Sequence, residues 1–280
     1  MVRDLRNSAG SRIGSDIPSK YAGLLSTGAK PIVPIQGVNI DDYEKFKQAF
    51  DQWIRSSKLN VRGLPAQYTI VSGLTDAFNQ TYALYHKIGI FEGEYGYHRL
   101  AMGERVTTDL STADVIIVSH PFSADGFSSH DKLAHADSFG KPIFVDCAFL
   151  GICDNVSFDL SAYKHIHSVG FSLSKTFGSG KRRVGMLYTK DCYPSLIYDP
   201  WKYQLVSSAE HHYDLITQIG PDQMFDMYRP HQLEICNDLG LEPSDTVIFG
   251  IDRQGRYPEY KRGNVDRICI SLAMRARITT

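Results

Sequence analysis

The sequence predicts an α/β protein: a large three-layer domain built on a mostly parallel sheet, followed by a small C-terminal α/β domain. Three observations point there. Short, strongly apolar runs at Asp114 to Ser119, Lys141 to Asp146 and His165 to Ser172 read as strands buried on both faces. Helical patterns and turns marked by glycine or proline alternate with them. At 280 residues with 42% hydrophobic side chains, the chain has room for one large domain and a smaller appendage. The expected division is an N-terminal arm over 1–40, a large domain over 41–200 and a small domain over 201–280.

Composition narrows the partners. A formal net charge of −1 leaves no electrostatic footprint for nucleic acid or an anionic membrane. No apolar run reaches membrane-spanning length, and Met1 to Arg6 leads into no secretory pattern. The five cysteines form no CxxC pair, which argues against zinc and for a reduced, cytoplasmic setting. Without a secretory pattern, the sequons at Asn79 and Asn155 read as chance matches.

Taken in order, residues 1 to about 38 are broken by Pro18, Gly23, Gly28, Pro31, Pro34 and Gly37 and read as an extended arm, disordered or laid across a partner subunit. Asp41 to Ser57 reads as an amphipathic helix with Tyr43, Phe46, Phe50, Trp53 and Ile54 on one face, and Asp41 with Glu44 gives a capping-box-like start. Tyr68 to Val71 is a strand. Ser72-Gly73-Leu74-Thr75-Asp76 then turns into a helix through Ala77, Phe78, Tyr82 and Leu84. The turn suits an anion at exposed helix N–H groups, and equally an ordinary β–α turn capped by Thr75 or Asp76. Ile88 to Glu92 is the next strand, and Ser128 to Phe139 a helix closed by Gly140. Asp146 falls at the carboxyl end of its strand, where open α/β sheets bind ligands. Further on, Met224 to Leu239 reads as a helix, Thr246 to Ile251 and Arg267 to Leu272 as strands, and Asp252 to Asn264 as loop.

The stretch Gly170 to Gly185 is chemically the most informative. A buried strand ends in Ser172, Ser174 and Lys175, a glycine-rich loop with Lys181, Arg182 and Arg183 follows, and Val184 to Tyr188 forms a second strand. A lysine so placed can hold phosphate or serve as an amine nucleophile that forms a Schiff base. The P-loop spacing fails, because Arg182 follows Gly180-Lys181 and Lys175 stands where the first glycine is required. The Schiff-base reading asks the chain for an acid to hold the pyridine nitrogen of pyridoxal phosphate, an anion cradle and an aromatic lid.

These residues resemble the motifs of fold-type I pyridoxal-phosphate enzymes, specifically the class I/II aminotransferases, over about Tyr68 to Gly185 and again near the C-terminus. Ser172-Leu173-Ser174-Lys175, with Arg183-Val184-Gly185 eight positions on, looks like the lysine signature. The resemblance implies pyridoxal 5′-phosphate as cofactor, Lys175 as its Schiff-base lysine and proton shuttle, and Ser172 and Arg183 on its phosphate. Asp146, in Val145-Asp146-Cys147-Ala148-Phe149, would hold the pyridinium nitrogen, keeping the ring an electron sink. Gly73, Leu74 and Thr75 resemble the phosphate cup, and Tyr95 the stacking aromatic. Arg267, in Asp266-Arg267-Ile268-Cys269, resembles the arginine that grips the substrate α-carboxylate. The resemblance further implies an amino acid and a keto acid as small-molecule partners, and a homodimer.

The sequence departs from the family at two ring contacts. Ser123 stands where an asparagine is usual, and Phe149 where a tyrosine is usual. Both positions normally contact the ring's 3-oxygen, so losing the phenol should raise the Schiff-base pKa. The chain after Gly185 is also shorter than the family usually carries. The expected reaction is amino transfer from an amino acid with Lys175 as the base at Cα. The competing readings are elimination, decarboxylation or oxidation on the same cofactor, or a catalytically degenerate relative.

Overall fold

The apolar runs become strands covered on both faces. The structure, a computed structural model, describes residues 19–21, 43–193, 196 and 206–278. Seven strands form one sheet: β1 (Gln67–Val71), β2 (Ile88–Ile90), β3 (Val106–Thr107), β4 (Val115–Ser119), β5 (Ile143–Cys147), β6 (Ile166–Ser172) and β7 (Gly185–Thr189). Their order is β1-β7-β6-β5-β4-β2-β3. β7 runs antiparallel to β1 and β6, and the remaining pairs are parallel. The register aligns the carboxyl ends: Ser119 faces Asp146, Asp146 faces Gly170, and Ser172 and Val71 both face Gly185.

Alternation along the strands feeds two cores. Ile116 and Val118 of β4 join Phe46, Phe50, Trp53 and Ile54 of helix α1 (Tyr43–Arg55) on one face. Val115 and Ile117 join Leu74, Ala77, Phe78 and Tyr82 of helix α2 (Leu74–Leu84) on the other. This is the three-layer arrangement expected from strands apolar on both faces. Between them lie α3 (Tyr97–Met102), α4 (His130–Asp137) and the single turn α5 (Leu173–Thr176). Among the described residues no helix is long and apolar enough to cross a membrane.

Helix α6 (Val206–Gln218), which the sequence pattern did not reveal, packs along α1, and the Trp53 indole N–H donates to the Ile219 carbonyl at 2.8 Å just beyond it. Helix α7 (Gln223–Leu239) leads to a second sheet, antiparallel throughout, of β8 (Glu242–Pro243), β9 (Phe249–Asp252), β10 (Lys261–Arg262) and β11 (Val265–Cys269), ordered β10-β11-β9-β8.

Several expectations need correction here. The strand expected from Arg267 to Leu272 starts at Val265 and ends at Cys269, and helix α8 (Ser271–Ile278) takes its last residues. The strand expected from Thr246 begins only at Phe249. The stretch from Asp252 to Asn264 is not all loop: it holds a 3-10 turn, Pro258–Tyr260, and β10. Most of the N-terminal arm and the Asp41 cap lie outside the described residues. The part described, Ser19–Tyr21, lies against its own chain. The Tyr21 hydroxyl donates to Asp238 at 2.7 Å, Lys20 pairs with the same carboxylate at 2.6 Å, and Arg277 donates to the Tyr21 oxygen at 2.6 Å.

Candidate active site

The carboxyl ends of β4, β5 and β6 open onto one cavity of about 340 Å³. β5 ends with Asp146 inside it. The carboxyl group is buried and accepts the Ala148 backbone N–H at 3.0 Å. Burial, with the charge of Glu94 second, pushes it up to about 7; the Ala148 N–H and Lys175 pull the other way. Lys175 also lines the cavity. It sits within α5, one turn beyond β6, rather than at the strand end the sequence suggested. The Ser172 hydroxyl caps that turn by accepting the Ser174 N–H at 3.3 Å.

One end of the cavity is shaped for an anion. Arg183, Thr75, Leu74 and Ser172 line it, and the Arg183 guanidinium donates to the Thr75 hydroxyl at 2.7 Å. Gly73 precedes α2 at φ 72°, a region where a side chain is strained. A Cβ there would come within 2.9 Å of the Arg183 Nε, so the missing side chain lets the guanidinium close over the helix N-terminus. Gly73 provides no side-chain cap; the Asp76 carboxylate accepts the Ser72 N–H at 3.0 Å, and the Asp76 N–H donates to the Gly73 carbonyl at 3.1 Å, which leaves the Leu74 and Thr75 N–H groups at the helix start suited to a ligand. The Ser174 hydroxyl lines the same cavity and is buried with no hydrogen-bond partner among the described residues.

Tyr95 lines the mouth, 39% exposed, with Tyr97 stacked at 6.1 Å and Phe78 tilted at 6.4 Å. Phe149 lines the wall, edge-on to Phe249 at 5.4 Å. Ser123 and Arg267 complete the predicted set: Gly73 lies just behind the lining and the other ten residues form part of it. Arg267 is buried, lies 4.2 Å over the Phe249 ring and donates to the Ser123 carbonyl. Burial, with neighbouring Arg262 second, pulls its guanidinium down to about 9.

Two residues at the site carry roles the sequence reasoning missed. Glu94 is buried and accepts the Ser119 N–H at 2.8 Å, the Ser119 hydroxyl at 2.5 Å and the Tyr95 N–H at 2.8 Å. Ser119 in turn accepts the Ser123 N–H at 2.7 Å, so one carboxylate sets both the Tyr95 and Ser123 segments. Its signal in the sequence was an acid directly before the stacking aromatic. Arg262 reaches the cavity from β10, where the sequence suggested loop. It donates to Gly93 and Glu94 carbonyls at 3.3 Å each and to the Ser123 hydroxyl at 3.2 Å. The Gly263 turn beside it rests on Gly93, where an added Cβ would approach the Gly93 Cα to 2.8 Å.

No family model and no curated protein matches the sequence. Solved structures do resemble the fold. A pyridoxal-phosphate-bound C-S lyase from Staphylococcus hominis, complexed with L-cycloserine, aligns over 88% of this chain and 79% of its own at 12% identity, with a TM-score of 0.62. A histidinol-phosphate aminotransferase from Sinorhizobium meliloti, in complex with pyridoxal 5′-phosphate, aligns over 84% and 79% at 14% identity and 0.57. An L-threonine-O-3-phosphate decarboxylase from Porphyromonas gingivalis aligns over 84% and 87% at 13% identity and 0.56. At such identities the likeness speaks to architecture, and the chain has the aminotransferase-like α/β fold, fold type I, that these proteins share.

Proposed function

We propose that this protein is a pyridoxal-phosphate-dependent enzyme that transfers the amino group of an amino acid, with Lys175 carrying the cofactor aldehyde. The observation that carries the reading is that Lys175 and Asp146 line one cavity whose end is built by Arg183, Thr75 and the uncapped start of α2. The residues fit the cofactor on three counts. Asp146 is a carboxyl that burial and the neighbouring Glu94 charge push up to about 7, and a protonated ring nitrogen would offset both. The Gly73 cradle and Arg183 suit a phosphate. The buried Ser174 hydroxyl has a donor to give there.

Bound pyridoxal phosphate supplies an aldehyde that captures amines and a ring that takes up electron density from the substrate's Cα. The chain's own groups do the rest. Arg183, Thr75, Ser172, Ser174 and the α2 N–H groups hold the phosphate. Asp146 would hold a protonated ring nitrogen, and Tyr95 would supply the aromatic contact to the ring. Lys175, whose amine lines the same cavity, would hold the aldehyde and, when free, would serve as the base at the substrate's Cα. Arg267 holds the substrate carboxylate. Position 149 would offer the ring's 3-oxygen no phenol and Ser123 would offer it a hydroxyl, which favours elimination or decarboxylation as the second reading.

We expect the enzyme to act as a cytoplasmic homodimer. The test is an absorbance scan of the purified protein with pyridoxal phosphate, before and after borohydride, beside Lys175→Ala. A visible band that borohydride fixes covalently in wild type and not in the variant is expected. No band, or a covalent adduct that survives in the variant, refutes the reading. Stoichiometric keto-acid formation from an amino acid with transfer to a second keto acid separates amino transfer from elimination or decarboxylation.

A further inference from the structure

We propose that Glu94 is a positioning residue that holds the cofactor's ring contacts and the substrate-binding arginine as one unit from behind the cavity; the proposal rests on the functional reading above. Its carboxyl group is buried and stands behind the lining that Tyr95, Ser119 and Ser123 form. Two branches leave it. On the first, Oε1 accepts the Tyr95 N–H at 2.8 Å, which fixes the main chain that carries the stacking ring. On the second, Oε1 accepts the Ser119 hydroxyl at 2.5 Å and Oε2 the Ser119 N–H at 2.8 Å. Ser119 Oγ accepts the Ser123 N–H at 2.7 Å, so its single proton is committed to Glu94 and the relay runs one way. Ser123 ends the branch: its carbonyl accepts from Arg267 and its hydroxyl from Arg262.

Both carboxyl oxygens of Glu94 therefore have to accept. Burial pushes the group up, while the Ser119 and Tyr95 donors and the Arg262 charge pull it down. Glutamine has the same shape but only one oxygen. Its NH2 meets the Ser119 N–H in one orientation and the Tyr95 N–H in the other, so a branch opens whichever way the amide turns. Ser119→Ala opens the second branch alone and changes no charge. A ligand in the cavity then registers either change through the residues it does touch.

The experiment is equilibrium titration of the cofactor-free protein with pyridoxal phosphate, read by visible absorbance and circular dichroism, in wild type, Glu94→Gln, Ser119→Ala and the double variant. Glu94→Gln should weaken binding about 10-fold and diminish the circular dichroism of the visible band, because the ring loses its fixed seat. Ser119→Ala should give part of that loss, and the double variant should fall less than about 3-fold below Glu94→Gln, because members of one hydrogen-bonded chain do not add. Butyrate, an unreactive monocarboxylate probe for Arg267, should bind cofactor-loaded Ser119→Ala about 3- to 10-fold more weakly than loaded wild type. Cofactor affinity within about 2-fold of wild type in Glu94→Gln, with unchanged circular dichroism, overturns the proposal even if the urea midpoint falls, because lower stability alone is what a merely structural acid would give. Fully multiplicative losses in the double variant overturn it as well. Should Glu94→Gln not fold, Ser119→Ala decides by itself, and wild-type affinity for both probes overturns the proposal. Wild-type protein that takes up no pyridoxal phosphate overturns the functional reading itself.

Discussion

Replacing Asp146 with asparagine tests the carboxyl group at the centre of the site in the absence of cofactor. The unfolded chain ionises near 3.8 and the folded chain near about 7. Between those values the folded protein holds the extra proton, so this group's contribution to stability falls as pH rises through the window and levels off above it. The full difference is about 4 kcal/mol, of which about 3 kcal/mol is lost between roughly pH 5 and pH 8. Asparagine keeps an oxygen for the Ala148 N–H, which Asp146 accepts at 3.0 Å, and carries no charge to desolvate. Buried His98, His120 and His212 are pushed down and contribute the opposite slope, so variant minus wild type is the informative quantity. Urea unfolding of both cofactor-free proteins should show the variant's advantage growing by about 3 kcal/mol across that range. An advantage constant to within about 0.5 kcal/mol would refute the reasoning. Saturating pyridoxal phosphate should reverse the order at about pH 8, because the ring nitrogen gives the carboxylate a cation and asparagine gains nothing from it.

Two further outcomes follow from the same geometry. Gly73→Ala puts a Cβ 2.9 Å from the Arg183 Nε at a φ of 72°, which should cost about 1–2 kcal/mol of stability and loosen pyridoxal-phosphate binding; unchanged cofactor affinity in an equilibrium titration would separate the cradle from the phosphate. Phe149→Tyr restores a phenol on the cavity wall and should lower the pKa of the Lys175–cofactor band in a pH titration of absorbance. A band that titrates at the same or higher pH would mean that position 149 does not reach the ring oxygen.

What the sequence made legible was local. Asp146 and Ser172 lie at the ends of apolar strands that can be read from the end of the apolar run, Lys175 follows one of them, and Gly73 and Thr75 lie at a strand-to-helix turn. Arg183 precedes the returning strand β7, so its place beside Gly73 follows from the short loop. Arg262 was illegible for the opposite reason. Its strand has two residues, too short for any period, and Gly255, Pro258 and Gly263 punctuate the segment as loop. Only the pairing of Lys261 with Asp266 and the seating of the hairpin on Gly93 bring it to Ser123. Glu94 was visible as a residue and opaque as a role, because its partner Ser119 is 25 positions away. The helix after β11 was missed because Ile268 to Leu272 is apolar but for Ser271, and that composition is shared by a buried strand and a buried helix.

The glycine-on-glycine seat between the Gly263 turn and Gly93 joins the small sheet to the large one without side chains. Both sheets meet there through bare main chain, with no side chain to flex and take up slack. Swinging the small sheet outward by even an atom's width therefore withdraws Arg262 from Gly93, Glu94 and Ser123 together. The position of Arg262 in the cavity therefore depends on how closely the two sheets sit at this one contact.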